Sequence, residues 1–569
     1  MSHIKRYFLL AILVMAAIVL KFHHFGSDYE SIATFRGAQL NKEDWNPLIA
    51  ESVNEKRLVI SIDNKEYTNQ ETGIFMDDNL NLMVPVDILS EGLNCSIHLY
   101  PQEKLLIEKR DNTASFGLDN TMISVNDQVY EITSPMRKMD ETYYVSIGAA
   151  SESIGYHYEW DIQQNQAVAL DTSDSTSIFP SSYDLRQRGR VGEVRNQGNT
   201  GTCWAFAALS ALESAILPEE EETFSADHMS LGNSFAPREE EGGEYTMGMA
   251  YLLSWQGPVF EKDDPFDGVL AEGLSPVKHV QEIQMIEGKD YEKIKEAVFK
   301  YGGVQTSLYS TLQNSADISE SYNQEGKAYC YIGTEKPNHE VVIIGWDDNF
   351  SKDNFPVNVE GDGAFICQNS WGSEFGEQGT FYVSYYDTNI GSHNVVYTKV
   401  EDTDNYDHIY QSDLCGWVGQ MGYNKDSVYG ANVYTAGQEE DLSSVGFYAT
   451  GKDSRYVVYL VRDFKDISSF ENKVKIAEGT LSNAGYYTIP VKQGITLSPG
   501  ERFAVVLSIQ TPNSVHPMAI EYAADESTRN VDLSDGEGYI SATGRVWNSV
   551  EDTSSCNLCL KAYTKNREE

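Results

Sequence analysis

Three short stretches, far apart in the chain, hold residue types that make chemical sense only together. They are Gln197 to Phe206 (QGNTGTCWAF), Asn338 to Asp348 (NHEVVIIGWDD) and Cys367 to Gly376 (CQNSWGSEFG). They supply a thiol at Cys203, an imidazole at His339 and a carboxamide at Asn369. A second carboxamide, Gln197, precedes the thiol within the first stretch. A thiol is a poor nucleophile until it ionises, and its unperturbed pKa is about 8.5. Two features are expected to lower it here. The run WAFAALSALESAIL after Cys203 favours helix and ends at Pro218, so a helix N-terminus lies beside the sulfur. The other is His339, which as an imidazolium pairs with the thiolate and later protonates a leaving amine. His339 itself opens an alternating apolar strand pattern, Val341 to Ile344.

This set resembles the papain family of cysteine peptidases. The resemblance extends over about Phe179 to Val400, beginning with SYDLRQRGRVGEVRNQG (Ser182 to Gly198). It implies a fold with a helical half and a β-barrel half. It also implies that Asn369 orients the imidazole and that Trp371 shields their hydrogen bond from water. Gln197 and the backbone N–H of Cys203 would hold the oxyanion. Gly242 and Gly243 would form a wall of the substrate pocket, where a peptide backbone approaches closely. Asn338 and Trp371 are counted with them as substrate contacts. Activity is expected to follow a bell in pH, rising as Cys203 ionises in acid and falling in mild alkali as His339 loses its proton. The acidic run Glu239 to Glu241, with Glu244, is expected to favour a basic residue third before the scissile bond.

The chain also departs from the family pattern. Thr200 stands where a disulfide cysteine is often found, and Phe224 to Ser234 has no cysteine to pair with it. Phe375 replaces an expected tryptophan. A polar loop, Asn349 to Asp362, is added between His339 and Asn369. No helical inhibitory propeptide of the familiar type precedes the domain.

The length of 569 residues leads us to expect several domains. A net charge of −44 excludes nucleic acid as a partner, because phosphate binding needs clustered Lys and Arg. Seven scattered cysteines imply no disulfide framework, and the lone Cys556/Cys559 pair lacks further ligands for zinc. We expect no metal and no cofactor.

The N-terminus is basic and then apolar from Tyr7 to Leu20. Residues 1–27 read as a secretory signal peptide or a retained signal anchor, so the body is exported, either secreted or held at the cell surface. Residues 56–172 contain a repeat. Met83 to Glu108 matches Tyr144 to Ala169 at a constant offset of 61 residues, and ISIDNKEY matches ISVNDQVY. The copies, about 56–110 and 117–172, resemble the module named after the N-terminal domain of copper amine oxidases. His98 and His157 are isolated, so we expect no copper. A polar linker, 173–179, leads to the peptidase at 180–400. From 402 to 566 short strands separated by turns argue a β-sandwich resembling the lectin-like domain behind some microbial papain-type peptidases.

The whole reads as multidomain α+β: a peptidase between a β-rich tandem module and an all-β sandwich. The expected function is an exported cysteine endopeptidase acting on protein or peptide substrates. The sandwich could add a carbohydrate or cell-surface ligand, with membrane contact through the N-terminal segment if it stays uncleaved. Two alternatives remain open: an adhesin with an inactive peptidase domain, and a transpeptidase or ligase using the same thiol.

Overall fold

The computed structural model describes residues 54 to 567, apart from 55, 63–64, 80, 94, 101–102, 110–111, 126–127, 141, 155, 162–165, 172–178, 180, 237–241 and 492–493. The N-terminal signal or anchor therefore lies outside the described residues, as do Glu239, Glu240 and Glu241. Among the described residues no helix is long and apolar enough to cross a membrane, and no group of His, Cys, Asp or Glu could hold a metal. The chain forms two compact units, Met1–Pro180 and Ser181–Glu569.

In the first unit the sequence repeat becomes a repeat of elements. The strand Leu82–Pro85 feeds the helix Val86–Gly92, and Thr142–Ser146 feeds Ile147–Ser153 in the same way. The two copies interleave. Val59–Ile62 of the first copy pairs in parallel with Gln166–Asp171 of the second, and Leu82–Pro85 pairs with Thr142–Ser146. Ile60, Leu89 and Leu105 thus share one core with Ile123, Val145 and Ala167. One copy alone falls short of the roughly 70 residues at which a single core suffices. Sharing a core removes that shortfall.

The second unit is built on helix α1 (Cys203–Ile216) and a long antiparallel sheet. The α1 sequence has no glycine, and no β-branched residue before Ile216, so its helix propensity is high. It stops at Leu217, which is extended (φ −72°, ψ 148°), as suits the residue before Pro218. Every residue from Cys203 to Ser214 is buried, marking a central helix packed on all sides. A second helix, α2 (Tyr245–Leu253), follows the Gly242–Gly243 pair and packs on α1.

Six strands of the sheet carry the site: β1 (His279–Ile286), β2 (Val304–Leu308), β3 (His339–Asp347), β4 (Ala364–Gln368), β5 (Thr380–Ser384) and β6 (Asn394–Glu401). Their order is β5-β4-β3-β2-β6-β1. Strand β3 is buried from His339 through Trp346, which explains its unbroken apolar run.

The sheet does not stop where the sandwich begins. Strand β1 pairs with β7 (Ala484–Pro490) over Glu282 to Met285, and the sheet runs on through Glu440–Ala449 and Leu560–Asn566. A six-stranded sheet covers this extension, and Val445, Phe447 and Leu560 pack against Val458, Phe503 and Leu507. Residues on both sides of the boundary read near 400 thus form one compact body, a continuity that the boundary did not anticipate.

Candidate active site

The site forms where α1, β3 and the segment after β4 meet. Cys203 is the first residue of α1, and Thr202 before it offers no side-chain cap. The first N–H groups of a helix have no partner within it. Those of Cys203 and Trp204 act on the sulfur here, together with the N–H of Glu340.

Register brings the other two residues together. Val342 opposes Gln368 across β3 and β4, so the antiparallel chain beyond Gln368 runs back alongside His339. His339 Nε2 lies 2.8 Å from Asn369 Oδ1. The backbone N–H of Ser370 also donates to that oxygen, at 2.8 Å. Two contacts thus fix Oδ1 as an acceptor, so Nε2 carries the hydrogen and Nδ1 is left free. The Trp371 indole stacks on the imidazole, with centroids 4.8 Å apart and planes at 26°. Phe375 meets Trp371 edge-on and stacks with Tyr322, so it fills the core behind the site. His339, Asn369 and Trp371 are all buried. Asn369 Nδ2 is buried without a partner.

Gln197 is clamped. Its N–H donates to the Ser370 carbonyl at 2.8 Å, and its Oε1 accepts from Ser370 Oγ at 2.6 Å. One hydrogen of its amide goes to the Thr200 carbonyl at 2.7 Å, leaving the other unassigned. Thr200 itself bonds the Gln197 carbonyl and Thr202, so hydrogen bonds hold this loop. All seven cysteines are free thiols.

Gly242 has φ 82°, in the left-handed region, and lines a shallow depression with Trp204 and Met247. A Cβ at Gly243 would lie 2.5 Å from Trp204 Nε1, so only glycine lets the chain pass the indole there. Asn338 is bonded to the Ser310 backbone. Its Oδ1 accepts from Ser310 N–H at 2.6 Å and its Nδ2 donates to the Ser310 carbonyl at 3.0 Å. These two bonds tie the segment just before His339 to Ser310.

Two residues escaped sequence reasoning. Ser370, between Asn369 and Trp371, was not singled out. Nor was Glu340, although a carboxyl beside the apolar run Val341 to Ile344 was itself a signal.

Electrostatics differ from the sequence expectation. Burial pushes the Cys203 thiol up to about 11, against the downward pull of the Glu340, Trp204 and Cys203 N–H groups. Burial likewise pushes the His339 imidazole down to about 4, against the upward pull of Asn369. The helix N-terminus acts in the expected direction and is outweighed by desolvation.

A thiol at a helix start thus lies beside the strand whose first residue is an amide-held imidazole. Residues 179–400 match the family described as papain family cysteine protease, and this match, with the relatives that follow, supports a cysteine peptidase. Residues 61–169 match the copper amine oxidase N-terminal domain, and residues 409–564 the lectin like domain. The chain is similar to cathepsin S of Bos taurus, 25% identical over 272 residues, or 44% of this chain and 76% of that protein. It is 28% identical to pro-cathepsin H of Mus musculus over 242 residues, 40% of this chain and 68% of that one. Among solved structures, the clostridial cysteine protease Cwp84 after propeptide cleavage shares 26% identity at a TM-score of 0.61. That likeness covers 68% of this chain and 99% of the other. A second structure holds the cysteine protease and lectin-like domains of Cwp84, a surface layer associated protein of Clostridium difficile. It shares 25% identity at a TM-score of 0.60, over 68% of this chain and 89% of its own.

Proposed function

We propose that this chain is an exported endopeptidase that hydrolyses protein substrates through an acyl-enzyme on Cys203. The observation that carries the residue roles is the bond from His339 Nε2 to an Asn369 oxygen already held by Ser370. It leaves Nδ1 to take the thiol proton. The sulfur then attacks the scissile carbonyl, and the charge on its oxygen meets the Cys203 N–H and the free Gln197 hydrogen. His339 returns the proton to the departing amine, and water, deprotonated by the same imidazole, releases the acid. Export is supported by the basic and apolar N-terminal sequence and by the surface-layer association of Cwp84. The sandwich could bind a cell-surface ligand, but Trp547 is not its platform: it is buried against Phe470, with centroids 4.3 Å apart.

The test is digestion of an unfolded protein before and after alkylation of Cys203 with iodoacetamide, with the products weighed by mass spectrometry. New carboxyl termini that vanish on alkylation are expected. Products joined to added amines would make the chain a transpeptidase, and no products at all would leave it a binding protein.

Burial also sets the pH range. The competent pair holds one proton between Cys203 and His339. A second proton is resisted down to about 4 and loss of the last up to about 11. With a peptide lacking ionisable side chains, kcat/KM should rise through about pH 4 and hold well past neutrality. An alkaline limb near the ordinary thiol value of about 8.5 would contradict this.

A further inference from the structure

Glu340 follows His339 on β3, and successive side chains of a strand point to opposite faces. His339 turns to Asn369 and Trp371, while Glu340 turns towards the start of α1. Its carboxyl accepts from Ser307 Oγ and, at 3.1 Å, from Gln305 Nε2, which also reaches the Trp204 carbonyl at 3.5 Å. Both partners are neutral, and a carboxylate can accept about four hydrogen bonds. Among the described residues no cation faces it.

The charged and titratable groups around it are Cys203 on α1, Glu244 and Tyr245 at the start of α2, Tyr397 on β6 and its neighbour His339. Tyr245 in turn stacks on exposed His393, with centroids 5.5 Å apart. Glu340 acts on both the nucleophile Cys203 and on Tyr245, which follows the Gly242–Gly243 pair. Through Gln305 the buried carboxyl is tied to the carbonyl of Trp204, the residue after Cys203, which lines the depression beside Gly242.

We propose that Glu340 selects a lysine or arginine side chain of the substrate, on the acyl side of the scissile bond. The inference rests on the peptidase reading of the cleft and deepens it. A buried charge without a counter-ion is costly, and burial accordingly pushes the Glu340 carboxyl up to about 7. A substrate cation supplies the missing charge. A neutral side chain leaves the carboxyl to be protonated. Preference for the cation is therefore full above about 7 and shrinks as pH falls below it.

The experiment compares peptide pairs that differ only by lysine or norleucine at one position, scanned over the three residues before the scissile bond. Wild type and Glu340→Gln are assayed at about pH 8.5 and about pH 5.5, either side of the value near 7. At one position the wild-type ratio of kcat/KM, lysine over norleucine, should be about tenfold at the higher pH, the scale of a charge-assisted bond. It should shrink at the lower pH and collapse in Glu340→Gln. A ratio removes any difference in folded fraction. Equal ratios in the two proteins at all three positions would overturn the proposal.

The peptidase reading fails separately, if wild type cleaves neither member of any pair. Calorimetric binding of the same peptides to Cys203→Ala still reads the preference in that event. The lysine peptide should bind more tightly, and adding Glu340→Gln should remove the difference.

Discussion

Cys203→Ala and His339→Ala should each lower turnover by roughly 10⁴- to 10⁶-fold, the scale seen when members of a catalytic unit are removed. The losses should not add, because neither residue works without the other. Cys203→Ala removes a single buried sulfur at the start of a helix whose packing continues to Ser214, so its thermal transition should stay near wild type. His339→Ala loses a ring stacked on Trp371 and leaves a space, so a small fall in melting temperature is expected. Turnover of purified variants on an unfolded protein, together with their melting curves, separates the two effects. Hydrolysis within tenfold of wild type by either variant would remove that residue from the chemistry.

How far the site was legible depends on what kind of signal each residue leaves. Cys203, His339 and Asn369 stand in local contexts whose chemistry shows without a fold. The helix after Cys203 and the strand after His339 follow from propensity and pattern, and both appear, as Cys203–Ile216 and His339–Asp347. Ser370 was not legible, because its work is a hydroxyl bond to Gln197, a residue far away in the chain. Nor did the sequence tell that Asn338 would spend its amide on Ser310. Burial was the larger omission. A helix N-terminus and an imidazole can be read from sequence, but the desolvation that outweighs them comes from packing by distant segments.

The fold shows the same division. The repeat was visible as a repeat, yet its interleaving rests on parallel pairing between Val59–Ile62 and Gln166–Asp171, which leaves no local pattern. The sheet joining peptidase to sandwich likewise depends on Glu282 to Met285 meeting Ala484 to Tyr487. Trp547 is core because Phe470 and a small apolar cluster, assembled from distant strands, enclose it.

Gln197→Ala should cost about 10²- to 10³-fold, carried by kcat with little change in KM. The reason is that an oxyanion donor binds charge that exists only after attack. Its backbone N–H would still hold the loop to Ser370, so the variant should fold. The Thr200 carbonyl already takes one amide hydrogen, so the effect rests on the remaining one. Ser370→Ala gives the finer test. It leaves Gln197 in place but removes the 2.6 Å bond that fixes which end of the amide faces the site. With a net hydrogen bond worth about 1 kcal/mol, a loss of roughly fivefold in kcat is expected. In the double variant Ser370→Ala should cost almost nothing further, because there is no amide left to orient. A Gln197→Ala enzyme within twofold of wild type would mean that main-chain N–H groups hold the oxyanion alone. Full additivity in the double variant would mean that the Ser370 hydroxyl does not act through Gln197.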